Sequence, residues 1–317
     1  MKRAVSVSLG SSRRNHCWQT ELLGVPVQLE RIGTDGDVGR AIQLIRELDG
    51  KVDALGLGGI DLYIQVGRRR WALREAVRMA RAARITPVVD GGGLKNTLER
   101  WTVAKLVESG WGLQGRRTLL VLAVDRFGMA EALVQARADV IFGDLIFGLG
   151  VAVPLRRLRS LELLARVLAP AVARLPVRLF YPIGRKQEAI VPRHGRFYRW
   201  AELIVGDFHT IRRHMPAELT GKVILTNTVT SEDLAELQRR KVAVLCATTP
   251  NLGGRSFGTN VLEAALVAVT GRRPEELTAD DYYRLIREAG LGPRVEVLNP
   301  DLVPSWVTTS GTSPGPG

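Results

Sequence analysis

The feature that most constrains this chain is the alternation of short apolar runs with longer amphipathic segments. The runs at residues 5–9, 25–32, 53–57 and 86–89 have the length and composition of buried strands. The segments 38–48, 71–83 and 98–108 carry apolar residues at helical spacing. Because strands that alternate with helices are typical of βαβ units, we predict an α/β protein with mostly parallel sheets.

The alternation stops at the glycine-rich segment 110–115 and then restarts. Further strands are predicted at 118–124, 139–142, 177–181, 203–205, 223–226 and 242–246, and further helices at 128–137, 155–175, 231–240, 257–270 and 279–289. We therefore predict two lobes, an N-terminal α/β substrate lobe and a C-terminal Rossmann-like lobe with a doubly wound parallel sheet. The lobes are residues 1–112 and 113–307, and residues 308–317, which contain only Ser, Thr, Gly and Pro, are a predicted disordered tail.

Composition predicts a cytoplasmic protein without a membrane partner. No apolar run reaches the roughly 18 residues of a membrane span, and the apolar run after Met1 is too short for a signal peptide. Cys17 and Cys246 are far apart in the sequence and match no metal spacing. Two free thiols fit a reducing compartment.

The formal net charge is +13, and only seven of the 45 basic residues are lysine. The arginines are spread over many segments rather than gathered in one stretch, which favours solvated helix faces. An anionic substrate and a nucleic acid are the two alternatives, and no basic stretch has the interleaved aromatic residues of a stacking platform. We expect a small-molecule partner, do not expect nucleic acid, and leave a homodimer open.

The segment 118–144 has the layout of a dinucleotide-binding unit. A strand, a turn and a helix lead to a second strand, and Asp144 lies 20 positions after Val124, where an acid bonds the ribose in such units. Of the three expected glycines only Gly128 is present, and Arg126 stands beside it in the turn. The two readings are a nicotinamide-binding unit, with Arg126, Gly128 and Asp144 at the cofactor, and a Rossmann-shaped unit without a dinucleotide.

His209 follows the predicted strand 203–205. A histidine at the end of a strand can act as an acid or base near neutral pH. We place His209 with the cofactor-binding residues, and a structural role is the alternative.

A second candidate site follows the predicted strand 86–89. Asp90 and three glycines lead to Lys95, Asn96 and Thr97, which offer a cation, an amide and a hydroxyl. A lysine paired with an aspartate can exchange a proton with a hydroxyl group. We predict Lys95 and Asp90 as catalytic residues and Asn96 and Thr97 as substrate-binding residues, with a glycine-rich turn and a helix cap as the alternative.

Further anion-binding candidates lie on other loops after predicted strands. Gly254, Arg255 and Ser256 precede a predicted helix, whose free N–H groups favour an anion. The alternative there is a polar helix cap. Ser11 and Asp61 follow the first and third predicted strands and are added as substrate-binding candidates. No cluster of histidine, cysteine and aspartate has metal spacing, so we predict no metal.

Six segments of the sequence resemble bacterial proteins that are labelled quinate 5-dehydrogenase. These segments are residues 6–14, 56–61, 93–100, 124–130, 143–147 and 254–260, and the resemblance extends over nearly the whole chain. That family is distantly similar to the shikimate and quinate dehydrogenases, which have an N-terminal substrate lobe and a C-terminal Rossmann lobe. The resemblance implies an NAD(P)-dependent oxidoreductase that transfers a hydride between the cofactor and a small hydroxylated carboxylate such as quinate.

Asp144 also indicates which of the two cofactors is preferred. A carboxylate at Asp144 would repel the 2′-phosphate of NADP and bond the ribose of NAD, so we predict NAD as the preferred cofactor, with NADP as the alternative.

The incomplete glycine turn also fits a non-catalytic small-molecule sensor or binding protein on a Rossmann-like scaffold. That function is the alternative to the dehydrogenase.

Overall fold

The structure is a computed structural model that describes residues 1–67, 69–176, 190–252 and 255–308. The chain divides into two compact, discontinuous units. The first unit contains Met1–Thr97, Leu163–Ala189 and Phe257–Leu291, and the second contains Leu98–Glu162, Ile190–Ser256 and Gly292–Gly317. The predicted α/β class, with parallel strands and a two-unit layout, is confirmed.

The strands of the described residues are short and are distributed over both units. In chain order they are β1 (Lys2–Ser8), β2 (His16–Leu22), β3 (Val25–Gly33), β4 (Ala54–Gly58), β5 (Tyr63–Val66), β6 (Arg69–Ala72), β7 (Val88–Val89), β8 (Arg117–Leu120), β9 (Asp139–Phe142), β10 (Leu203–Val205), β11 (Val223–Thr226), β12 (Val244–Ala247), β13 (Asn251–Leu252), β14 (Arg255–Ser256) and β15 (Arg294–Val297).

The helices alternate with these strands in both units. In chain order they are α1 (Val38–Leu48), α2 (Arg74–Ala80), α3 (Gly92–Glu108), α4 (Phe127–Gln135), α5 (Leu158–Val172), α6 (Gly195–Trp200), α7 (Phe208–His214), α8 (Ser231–Arg239), α9 (Thr259–Thr270) and α10 (Ala279–Glu288).

The first unit is built on a sheet with the strand order β2-β3-β1-β4-β7. Strands β3, β1, β4 and β7 are parallel, and β2 adds an antiparallel edge. The sequence analysis missed β2 because its residues are mostly exposed and follow no apolar alternation. The parallel strands bring their carboxyl ends to one edge of the sheet, where ligands bind in folds of this kind.

The two faces of this sheet differ in side-chain size. On one face, Val5 and Val7 of β1 and Leu55 and Leu57 of β4 join a core with residues of α1 and α2. On the other face, positions 4, 6 and 8 of β1 and positions 54, 56 and 58 of β4 are Ala, Ser or Gly, and a Cβ on Gly56 would lie 2.7 Å from the Asn260 carbonyl oxygen of α9. The alternation of large and small residues therefore lets α9 pack directly on the strands.

The second unit is built on a sheet with the strand order β9-β8-β10-β11-β12-β15. All neighbouring pairs are parallel except β12 and β15. The chain passes from β8 to β9 on one side and then to β10 on the other. This reversal creates a crevice at the carboxyl ends of β8 and β10, the usual ligand position in doubly wound sheets.

The core of the second unit centres on one residue from each of the five parallel strands. Leu119, Ile141, Ile204, Ile224 and Leu245 form a buried cluster with apolar residues of α6, α7 and α8. Both faces of these strands are buried. Strands that are covered on both faces read as continuous apolar runs, which is why most of them could be predicted.

The division into units differs from the single boundary predicted after residue 112. Trp111 and Leu113 of the glycine-rich segment are buried inside the second unit. The Trp111 ring packs edge-to-face on Trp306, with centroids 5.9 Å apart. Conversely, α9 belongs to the first unit, because it packs on the small residues of β1 and β4.

Some predicted elements differ at their ends or in type. The first two residues of the predicted helix 71–83 belong to β6, which pairs antiparallel with β5. The helix that follows, α2, is shorter than the predicted helix. The predicted strand 177–181 lies outside the described residues. Of the predicted tail, Thr308 is described and its carbonyl accepts a hydrogen bond from Trp111 Nε1 at 3.1 Å, whereas residues 309–317 lie outside the described part.

None of the helices formed by the described residues combines the length and the apolar composition that a membrane span requires.

Candidate functional site

An ion pair between Lys95 and Asp61 lies beyond the carboxyl ends of parallel strands in the first unit. Asp61 follows β4, and Lys95 lies in the first turn of α3, which follows β7. The Lys95 Nζ atom is 3.3 Å from each carboxylate oxygen of Asp61. The side chains are 13% and 20% exposed, so the pair is sheltered and still reachable from solvent. A sheltered amine beside a carboxylate can exchange a proton with a hydroxyl group.

Asp90, the predicted partner of Lys95, holds backbone groups instead. One carboxylate oxygen accepts the N–H of Gly92 at 2.8 Å, and the other accepts the N–H of Leu62. Because Asp90 lies two residues before the start of α3, its short side chain reaches the first amide of the helix. The ion pair of Lys95 in this structure is with Asp61.

Asn96 and Thr97, predicted as ligand donors on a loop, lie inside α3, which begins earlier than the predicted start at residue 98. The Asn96 amide donates to the Gly92 carbonyl at 3.2 Å, and the Thr97 hydroxyl donates to the Gly93 carbonyl at 3.3 Å. Both bonds run back by one turn of the same helix. The two side chains thus support the start of α3 in this structure.

The loop after β1 brings Ser11 next to an arginine that the sequence analysis missed. The buried Ser11 accepts the N–H of Arg13 on its hydroxyl oxygen. Arg31 donates to the Ser11 carbonyl and to the Ser8 hydroxyl, each at 3.0 Å. Arg31 was missed because it lies within strand β3 rather than on a loop. The signal that could have indicated it is a charged residue within a predicted strand, which the structure pairs with Ser6 of the central strand β1.

Helices α9 and α10 add polar side chains that the sequence analysis did not select. The Asn260 amide donates to the Ser6 hydroxyl of β1. Glu263 accepts a hydrogen bond of 2.6 Å from the Tyr282 hydroxyl, and both residues are buried. The signal for Glu263 was present in the sequence, since it is the only charged residue between 257 and 270.

In the second unit, Asp144 is directed at the turn that follows β8. Its carboxylate accepts the N–H groups of Ala123 and Val124, with Oδ1 distances of 3.0 and 2.9 Å. The side chain is buried in a π-helical turn, Asp144–Gly148, directly after β9. Burial raises the pKa of Asp144 to about 6, although the bonds from the Val124 and Ala123 amides act in the opposite direction.

Arg126 lies in the same turn and is buried in an ion-pair network. Its guanidinium bonds Glu99 of α3 and lies 3.5 Å from a carboxylate oxygen of Asp207. Burial acts to raise the pKa of Asp207, but the charges of His209 and Arg126 lower it below its usual value. Arg126 is only 5% exposed and Glu99 only 1%, so in this structure the predicted cofactor cation serves an internal network.

His209 and Gly128 both lie in the first turns of helices. The N–H of His209 donates to Asp207 Oδ1 at 2.9 Å at the start of α7. Gly128 is buried in the first turn of α4. Gly128 follows β8 and His209 follows β10, two neighbouring parallel strands, and their assignment to a cofactor stays a prediction.

The predicted anion loop before α9 is described in part. Gly254 lies outside the described residues. Arg255 and Ser256 form β14, which pairs antiparallel with β13. The helix begins at Thr259 rather than at residue 257, and Gly258 is its N-cap. The interpretation of this loop as an anion site stays a prediction.

A dinucleotide would place its diphosphate on the backbone amides of the turn after β8. Here the amides of Ala123 and Val124 already donate to the Asp144 carboxylate. An internal anion therefore occupies the position that a diphosphate needs, and this turn does not fit the group. Among the described residues, no set of three or more His, Cys, Asp and Glu side chains could hold a metal ion.

Solved structures are similar to this chain only at a distance. A galactofuranose binding protein is 13% identical, with 92% of this chain and 99% of that chain covered and a TM-score of 0.35. A substrate-binding protein of a sugar ABC transport system from Bordetella parapertussis is 13% identical, with coverage of 92% and 81% and a TM-score of 0.32. An NAD-dependent malic enzyme from Thermotoga maritima is 12% identical, with coverage of 71% and 59% and a TM-score of 0.28. At such TM-scores these likenesses fix neither strand arrangement nor function.

No curated protein matches the chain significantly. Two family models match it, and only Gly91 and Gly92 separate the matched segments. Residues 3–90 match a domain of unknown function (DUF8753). Residues 93–298, which are more than half of the chain, match a second domain of unknown function (DUF8754). The chain therefore belongs to the family of proteins that carry this second domain.

Proposed function

We propose that the chain is an enzyme acting on a small hydroxylated carboxylate, in which Lys95 and Asp61 move the proton of a substrate hydroxyl. The observation that carries this proposal is their ion pair at the carboxyl edge of the first sheet, with both N–O distances at 3.3 Å. Partial burial strengthens the interaction between the two charges. The remaining exposure leaves a route for a substrate.

Arg31 supports an anionic substrate at this edge. Its guanidinium bonds Ser8 and Ser11, which lie at and just after the carboxyl end of β1. Gly58, three residues before Asp61, packs against Ser8, because a Cβ on Gly58 would lie 2.7 Å from that of Ser8. A planar guanidinium at the carboxyl end of β1 is suited to bind the carboxylate of a substrate in two contacts.

The proposed reaction is the oxidation of a secondary alcohol, with NAD or NADP as the hydride acceptor. The resemblance to quinate 5-dehydrogenases supports this reaction class. The Ala123 and Val124 amides are engaged by Asp144, so the cofactor diphosphate would bind elsewhere than at this turn. In such a reaction a bound dinucleotide would supply the hydride acceptor, and the Asp61 carboxylate beside Lys95 would accept the proton of the substrate hydroxyl.

One observation favours a second function, a non-catalytic sensor or binding protein. The turn after β8 has the Rossmann layout, but Asp144 fills the place of a diphosphate. A protein that bound the small molecule without the cofactor would retain the binding residues at the carboxyl edge of the first sheet. It would not retain a diphosphate-binding turn after β8. The two functions differ in whether a dinucleotide is reduced.

The experiment is a calorimetric titration with quinate, NAD and NADP, followed by a spectrophotometric assay of cofactor reduction. A dehydrogenase binds quinate and reduces NAD, and Lys95→Ala abolishes the reduction. Lys105→Ala is the matched control, because Lys105 forms an exposed pair with Glu108 on the same helix. Quinate binding without reduction of either dinucleotide would support the sensor, and absence of binding by all three compounds would reject both functions for this substrate.

A further inference from the structure

A buried glutamate of α9 contacts the first turn of the helix that carries Lys95. Glu263 is 4% exposed, and it lies directly against the backbone of α3. A Cβ on Gly93 would lie 2.6 Å from Glu263 Oε1 and 2.8 Å from the Tyr282 ring. Glycine at position 93 thus lets the carboxyl group and the phenol ring approach the helix backbone.

A hydrogen bond from a neighbouring helix fixes Glu263 in this contact. The Tyr282 hydroxyl of α10 donates to Glu263 Oε1 at 2.6 Å. The backbone amides of Gly91 and Leu94, at and just before the first turn of α3, act to lower the pKa of the Glu263 carboxyl group. Glu263 therefore faces the start of α3 from a distant part of the chain.

Glu263 shares this helix terminus with a second carboxylate. Asp90 accepts the N–H of Gly92 from the other side. Burial, and to a smaller extent the charge of Asp90, raise the pKa of Glu263 to about 7, whereas the bond from Tyr282 and the two amides lower it. Burial, Glu263, Asp90 and Glu275 together raise the pKa of Tyr282 far above its usual range, so the phenol keeps its proton.

We propose that Glu263 and Tyr282 are positioning residues that hold the first turn of α3 and thereby keep Lys95 beside Asp61. Lys95 directly follows Leu94, and its N–H donates to the Gly91 carbonyl at 2.8 Å. The Glu263 carboxyl group lies against Gly93, in the turn that leads to Lys95. The chemical use of Lys95 rests on the proposed function, whereas the positioning does not.

The proton on Glu263 sets how firmly this turn is held. In the neutral form, Glu263 accepts the Tyr282 bond without adding a second buried charge beside Asp90. When Glu263 ionises, two carboxylates share one helix terminus in a low-dielectric surrounding, and their repulsion favours opening of the turn. Lys95 should therefore be held less firmly above neutral pH than below it.

The test follows the chemical reactivity of Lys95 and needs no ligand. The full-length protein is treated briefly with an amine-acetylating reagent, and peptide mass spectrometry measures the labelling of Lys95 relative to Lys105 at each pH. In Glu263→Ala we expect this ratio to rise by about 5-fold or more, the scale on which loss of one hydrogen bond to a buried group shifts a local equilibrium. In Glu263→Gln, which keeps a neutral acceptor at all pH values, we expect the ratio to stay low and to lose its pH dependence.

Matched tyrosine variants provide the second arm. Tyr282→Phe removes the hydroxyl that donates to Glu263 and should raise the Lys95 ratio. Tyr283→Phe alters the exposed neighbour on the same helix and should leave it unchanged. Should Glu263→Ala fail to fold, Tyr282→Phe and Glu263→Gln decide the question.

Equal labelling ratios in the wild type, Tyr282→Phe and Glu263→Ala would overturn the proposal. Failure of quinate to bind would reject the proposed function alone, because the labelling ratio is measured without ligand.

Discussion

The Nζ atom of Lys95 lies at the same distance, 3.3 Å, from both carboxylate oxygens of Asp61, 34 residues earlier in the chain. The two residues follow neighbouring parallel strands, β7 and β4, whose carboxyl ends meet at one edge of the sheet. The pairing is thus a consequence of the topology. The local sequence around either residue therefore does not indicate which residue is its partner.

Replacement of Lys95 by alanine should abolish the proposed activity and leave the fold intact. We expect turnover of the hydroxylated carboxylate to fall by about 100-fold or more, the usual scale for a lost acid/base group. Thermal unfolding should change little, because a partly exposed ion pair contributes about 1 kcal/mol or less. Initial rates of cofactor reduction and a melting curve measure both effects.

Lys105→Ala is the control for this variant, since it removes a lysine of the same helix whose ion pair is exposed. It should retain full turnover. Equal turnover in Lys95→Ala and in the wild type would remove Lys95 from the mechanism.

Replacement of Asp144 by alanine should destabilise the second unit. The variant leaves the N–H groups of Ala123 and Val124 without their acceptor. We expect the free energy of unfolding to fall by about 1–3 kcal/mol, the cost of unsatisfied buried polar groups. Denaturant titration measures this loss.

Asp139→Ala provides the comparison, because Asp139 lies at the start of the strand before Asp144 and its ion pair with Arg156 is exposed. We expect a change within about 0.5 kcal/mol for this surface position. If Asp144 bound a ribose instead, Asp144→Ala would weaken NAD binding with unchanged stability, and that result would contradict the structural role.

Buried parallel strands were the most predictable part of the fold. The predicted strands 139–142, 203–205 and 223–226 have the same bounds as β9, β10 and β11, because strands covered on both faces appear as short continuous apolar runs. The edge strands β2 and β15 were missed. Their residues are partly exposed, and the sheet supplies the pairing that their own sequence does not indicate.

The candidate site could be predicted only where a strand end marked it. Asp61 and Lys95 were selected for that reason, but the ion pair between them was not predicted. Asp90, the predicted partner of Lys95, bonds the amides of Gly92 and Leu62, and its catalytic role stays a prediction. Glu263 contacts Gly93 across 170 positions of sequence. Such a contact depends on how α9 packs on the sheet, and no local pattern encodes it.

Replacement of Glu263 by glutamine should remove a pH dependence of stability. The folded-state pKa of Glu263, about 7, lies above the ordinary glutamate value of 4.5. Between these values the folded protein holds a proton that the unfolded chain has lost, so stability is full below about pH 4.5 and is lost as the pH rises to 7. The difference corresponds to a loss on the order of 3 kcal/mol.

Denaturant titrations at pH 5, 6, 7 and 8 measure this effect. The wild type should lose stability relative to Glu263→Gln as the pH rises, while Asp144 contributes to both proteins and cancels in the comparison. Glu288→Gln, a change near the end of α10 at an exposed residue, should follow the wild-type curve. Parallel curves for the wild type and Glu263→Gln would show that Glu263 does not titrate in this range.

Replacement of Arg126 by methionine should be strongly destabilising, because it removes the guanidinium that bonds Glu99, whose side chain is 1% exposed. Removal of one partner from a buried ion pair costs about 3–5 kcal/mol, and denaturant titration measures it. The double variant Arg126→Met with Glu99→Leu should recover most of this loss, since the buried carboxyl group is then removed as well. Arg100→Ala, which breaks a neighbouring exposed pair with Glu131, should cost about 1 kcal/mol or less. Equal stability of Arg126→Met and Arg100→Ala would mean that the buried pair contributes no more than a surface pair.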